Sequence, residues 1–85
     1  MKPIVLIGHK HDCPIHGIGE VVSGTSATRV GEREVACVGD RISCGAGIES
    51  GSPSYAIAGK AVARLGDTTD HGGTLIEGDS GWLVG

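Results

Sequence analysis

Phenylalanine is absent from these 85 residues, and tyrosine and tryptophan occur once each. A chain this short without aromatic payload builds a thin core, in the size range where metals, disulfides or oligomers supply the missing stability. Stacking side chains and blocks of Lys or Arg are both lacking, and the net charge is −3, which argues against a nucleic-acid platform. Long apolar runs are missing too. The first, Ile4-Val5-Leu6-Ile7, is too short for a signal-peptide core or a membrane span, so the chain is expected to be made in the cytoplasm without a signal peptide. Cysteine is scarce and odd in number, at three, which excludes a complete disulfide framework and suits thiols or metal ligands in a reducing cytosol.

Glycine is what the chain has in quantity, with sixteen residues. Each weakens a helix interior, and together they suit an all-β chain that turns often. Lys2 to Ile7 reads as a buried strand stopped by Gly8, followed by a loop from His9 to Gly17. Short extended segments are then expected at Glu20–Ser23, Ala27–Val30, Val35–Val38, Gly47–Ser50, Tyr55–Ala58, Ala61–Leu65, Thr74–Glu77 and Trp82–Val84, with turns between them.

Those segments repeat. Gly24, Gly51 and Gly78 recur every 27 residues, as do Thr28, Tyr55 and Trp82, then Val30, Ile57 and Val84. Val35-Ala36-Cys37-Val38-Gly39-Asp40 lies over Val62-Ala63-Arg64-Leu65-Gly66-Asp67. The third unit stops at Gly85 with its return strand missing. Val5-Leu6-Ile7-Gly8-His9 resembles Ala63 to Asp67, so the amino-terminal strand is expected to pair beside the last one and close a three-fold ring without an exposed edge. The whole of residues 1–85 reads as one domain.

The repeat also aligns chemistry. Asp40-Arg41-Ile42-Ser43-Cys44-Gly45 lies over Asp67-Thr68-Thr69-Asp70-His71-Gly72, which sets Cys44 against His71. In the first unit Cys13 takes that position when counted forwards, and His16, within a residue, when counted backwards from Gly24. The simplest account is an insertion, Cys13-Pro14-Ile15-His16, in the first tip loop. Four Cys or His donors from three converging loops make a closed tetrahedral site, and Cys13, His16, Cys44 and His71 are nominated for it. Cys37, mid-strand, reads as a core or flanking residue rather than a reactive one. Asp40 and Asp67 read as turn residues whose carboxylates accept backbone N–H groups two residues on, with orienting a ligand imidazole as the alternative, and Lys60 and Arg64 as solvated or paired surface charges.

The combined pattern resembles PAAR-repeat proteins, the small tips of type VI secretion spikes. The resemblance rests on Gly59 to Asp67 followed by Asp70-His71-Gly72-Gly73, on Ser43-Cys44-Gly45-Ala46, on Cys13-Pro14-Ile15-His16-Gly17 and on Gly51-Ser52-Pro53. The name-giving Pro-Ala-Ala-Arg stands here as Ala61-Val62-Ala63-Arg64 and, earlier, as Glu34-Val35-Ala36-Cys37. The resemblance implies a conical fold with zinc at the apex, held in the family by three histidines and one cysteine. That count brings in His11, or failing it His9, leaving the fourth position open between Cys13 and His11. It further implies a structural tip rather than an enzyme. One copy would sit on a trimeric VgrG-type spike and leave the cell with it, with effector cargo as a further partner. A zinc-binding cargo adaptor is the alternative. A zinc hydrolase is disfavoured, since the chain has no His-Glu-x-x-His and little room for a substrate pocket.

Overall fold

The computed structural model describes all residues from Met1 to Gly85 and contains strands and turns but no helix. Nine short strands occur: β1 (Lys2–Ile4), β2 (Lys10–Cys13), β3 (Gly17–Glu20), β4 (Thr25–Val30), β5 (Arg33–Val35), β6 (Ala56–Ile57), β7 (Lys60–Ala61), β8 (Thr74–Leu75) and β9 (Asp79–Val84). The antiparallel pairs β2–β3, β4–β5 and β6–β7 are hairpins; β8 adds to β2, and β1 pairs with β9 across the whole chain.

The organising feature is a ring of three backbone hydrogen bonds. Val5 N–H donates to Ala63 C=O (3.1 Å), Ala63 N–H to Ala36 C=O (2.9 Å), and Ala36 N–H to Val5 C=O (2.9 Å). All three residues are fully buried. Two alanines and a valine are small enough for three strands to meet at one axis, and closure leaves no donor or acceptor unpaired there. The amino-terminal strand thus completes the third unit, as the repeat predicts.

From the axis each unit makes the same sharp turn. Gly8, Gly39 and Gly66 adopt φ of +90°, +96° and +92°, a region that costs a Cβ-bearing residue strain. The residue after each glycine folds its side chain back. Asp40 accepts the Cys37 N–H and Asp67 the Arg64 N–H, both at 2.7 Å, and His9 Nδ1 accepts the Leu6 N–H at 2.9 Å. The aspartates therefore do turn chemistry, but on a donor three residues behind rather than two ahead. An acceptor is needed inside the turn, where the strand has left an N–H without a ladder partner.

The spacing locates the insertion. Return positions Val21, Ile48 and Leu75 donate to His9, Asp40 and Asp67 carbonyls respectively, so all three units have the same return. Across the tips, His11 pairs with Gly19, whereas Ile42 bonds Ala46 and Thr69 bonds Gly73. The first tip therefore holds four extra residues, the length of Cys13-Pro14-Ile15-His16. The expected loop His9–Gly17 is largely strand instead. In Lys10-His11-Asp12-Cys13 the inward residues are the histidine and the cysteine, so hydrophobic alternation, the usual sign of a strand, does not mark it.

Two apolar clusters stack along the axis. One, toward the tips, contains Val5, Val21, Ala36, Ile42, Ala46, Ile48, Ala63 and Leu75, with Cys44 packed against it. The other contains Ile4, Leu6, Val35, Cys37, Val62 and Val84, backed by Val30, Ile57, Tyr55 and Trp82. Cys37 is a core residue, as expected. Arg64 is paired, but not at the surface. Its guanidinium grips the Asp67 carboxylate through Nε (3.1 Å) and an Nη (2.9 Å), with 15% of the side chain exposed.

Candidate metal centre

Three tips converge at one end of the ring because neighbouring units are stitched together beside them. Ser43 N–H donates to Glu20 C=O at 2.8 Å, Gly47 N–H donates to the Asp70 carboxylate at 2.9 Å, and Asp12 pairs with Thr74. Each tip then carries its Cys or His toward the same point.

The donor atoms of Cys13, His16 and His71 lie within 4.8 Å of one another. Cys44 joins them through His71, whose Nδ1 is 3.9 Å from Cys13 Sγ and 3.9 Å from Cys44 Sγ. The His16 and His71 rings are 5.5 Å apart and inclined at 45°. Cys13 is buried, Cys44 and His71 are half-buried, and His16 is exposed. Burial alone would raise the Cys13 thiol. The backbone N–H groups of Ile15 and His16, with the His71 and Cys44 side chains, outweigh it and lower the pKa below the ordinary thiol value. A thiol poised to ionise among imidazoles is what a metal ligand requires, so this Cys/His cluster fits a metal ion.

His11 occupies a different layer. It stands at the register position of Ile42 and Thr69 and is fully buried. Its Nε2 lies 2.8 Å from Thr69 Oγ1, and Nδ1 has no partner. Burial, the largest effect, lowers its pKa against the pull of the Asp12 carboxylate, and the nearby His71 adds to the lowering. Gly73 passes so close that any Cβ there would collide with the His11 ring. His9 is remote from the cluster in role. It does for the first unit what Asp40 and Asp67 do for the others.

The sequence misses the Gly73–His11 contact and the buried Arg64–Asp67 pair. The alignment of Val5 to His9 on Ala63 to Asp67 carries the signal for His9.

The fold and its apex define a class first: small all-β chains whose repeated units close on themselves and bring Cys and His side chains together at one end. The PAAR motif matches residues 1–50 and again residues 16–77, so the chain belongs to that family. No curated protein matches it. Family membership supports a role associated with the type VI secretion spike and links the chain in general to VgrG-type spike proteins.

Proposed function

We propose that this chain is the structural tip of a trimeric VgrG-type spike, one copy per trimer, fastened at its apex by one zinc ion. Cys13, His16, Cys44 and His71 hold the ion. The observation that carries this reading is the convergence of all three tips at one end of a backbone-closed ring. A single ion there ties every unit to the others. Two thiols and two imidazoles suit zinc over Mg²⁺ or Ca²⁺, which take oxygen ligands. Bound zinc supplies four strong, directional bonds, and structural zinc sites contribute about 10 kcal/mol or more of folding free energy. That is large beside the few kcal/mol a core of this size provides.

Each residue has a task at the apex. Cys44 and His71 bring in the second and third units. The inserted Cys13-Pro14-Ile15-His16 supplies two donors from the first, completing four where a plain three-fold repeat would offer three. His11 sits one layer inward and braces Thr69 of the third unit. Cys13 is favoured over His11 for the fourth position because its sulfur is already grouped with His16 and His71, whereas His11 is not.

The opposite end is the spike-facing surface in this reading. There Val30, Ile57 and Val84 recur around the axis, beside the β4–β5 and β6–β7 turns and the paired termini. Three similar but unequal faces let a monomer sit on a true three-fold axis. The tip is made in the cytoplasm and leaves with the spike. Elemental analysis of the purified chain, with X-ray absorption at the metal edge, tests the centre. One zinc per chain with two sulfur and two nitrogen neighbours is expected; another metal, or well under one per chain, overturns it.

A further inference from the structure

We propose that Cys13 and Cys44 form a redox pair: once the metal leaves, they close a disulfide across the apex that joins the first tip to the second. The inference rests on the metal reading only in that bound zinc withholds both thiols.

Both sulfurs lie 3.9 Å from the same atom, His71 Nδ1, and both are free thiols. They come from separate units, so a bond between them crosses the seam that the ion otherwise holds. Cys44 is partly exposed and can meet a small oxidant, whereas Cys13 is 1% exposed. Cys37, the third thiol, is buried in the other apolar cluster, where its backbone bridges Val62. Chain statistics favour another pairing. Cys13–Cys44 encloses the longest of the three possible loops and Cys37–Cys44 the shortest, and an unfolded chain closes short loops more readily. The fold therefore selects against loop entropy.

The oxidant is a low-molecular-weight disulfide. The Cys44 thiolate attacks one of its sulfurs, forming a mixed disulfide and releasing one small thiolate. The Cys13 thiolate then attacks Cys44 Sγ and expels the second. Two protein thiols are oxidised, one small disulfide is reduced to two thiols, and the protons exchange with solvent. The sulfurs must approach to about 2.05 Å, which asks the two tips, rather than the ring, to move.

Oxidised glutathione is the probe, applied to zinc-loaded and chelator-treated full-length chain in native buffer, and to chelator-treated chain in urea. The expected product from the native metal-free chain is a monomer lighter by about 2 Da, with a Cys13–Cys44 cross-link on peptide mapping and one free thiol at Cys37. It should melt above the reduced metal-free chain, and zinc should slow its formation at least about tenfold. In urea the Cys37–Cys44 product should dominate. A native metal-free chain that gives Cys37–Cys44, keeps three thiols or stops at a glutathione adduct overturns the pair. A Cys13–Cys44 bridge forming equally fast with and without zinc upholds the pair and contradicts the metal reading instead.

Discussion

His9 stands in a turn position that its two counterparts fill with aspartate, and it can accept the Leu6 N–H only through an unprotonated Nδ1. Burial chiefly, with the Arg33 charge, lowers its pKa below 6.5, while Glu77 and Asp79 pull the other way. A folded-state pKa below the unfolded value means the turn's contribution is fully present above about pH 6.5. It is lost as pH falls from there toward the folded pKa, because the unfolded chain takes up the proton first. Acid also competes with a metal for Cys and His donors, so the informative quantity is a difference. His9→Asp should retain more of its pH 7.5 stability at pH 5.5 than the parent, read from urea midpoints at the two values. An equal loss in both proteins would remove His9 from the account.

The donors themselves give a sharper contrast. His71→Ala breaks the one contact shared by both apical thiols and should cost several kcal/mol through lost metal. At about 4–8 °C per kcal/mol for a domain this small, the melting temperature should fall by 15 °C or more. Cys37→Ala removes only a buried sulfur and should cost about 1–2 kcal/mol with zinc content unchanged. Calorimetry with elemental analysis on both variants checks the pair.

Among the elements, the closing strand shows how far the sequence could be read. Gly51 lies so close to the next strand that an added Cβ would meet Val62 O at 2.8 Å; Gly24 does the same to Val35 O at 3.0 Å. Gly78 makes the corresponding approach to Pro3 and Ile4, at 2.8 Å from Pro3 Cβ and 3.2 Å from Ile4 O. The 27-residue glycine period is thus the footprint of strand on strand, and its third member finds its partner at the other end of the chain. Ring closure was legible for that reason. The β2–β3 hairpin was not. Its inward residues are His11 and Cys13, and its return strand is Gly17-Ile18-Gly19-Glu20, so neither shows a strand's apolar alternation. The cluster of Cys13, His16, Cys44 and His71 could be read from register alone, since register is indifferent to polarity. The layer of His11 could not, because a buried histidine and a ligand histidine look alike in sequence.

The same glycines predict stability. Gly51→Ala should lower the urea midpoint by the equivalent of about 1–3 kcal/mol, because the Cβ meets a backbone oxygen that cannot move alone. An unchanged midpoint would deny the close approach. In the β6–β7 hairpin, Ala58 and Gly59 both have positive φ, at 52° and 80°, the two-residue turn that favours Asn-Gly. Ala58→Asn should therefore raise the melting temperature by a few degrees, with no change in metal content.

For the whole molecule, the apex and the ring act together. The proposed ligands come from all three units, so removing the metal should loosen the entire chain rather than one loop. Amide exchange should then quicken at Val5, Ala36 and Ala63, the ring at the axis, as well as at the tips. The ring still forms without the ion, as the Cys13–Cys44 pair requires, and protection unchanged at the ring after chelation would mean that the ion adds nothing to the core.

The claim that most needs a number is the proposed assembly: one tip, one ion, one trimer. Native mass spectrometry of the chain mixed with a VgrG-type trimer it recognises measures all three at once. The account predicts a complex of three spike chains, one copy of this chain and one zinc, which survives when free tip is in excess. Three copies per trimer, or no complex with zinc-loaded protein, would contradict it.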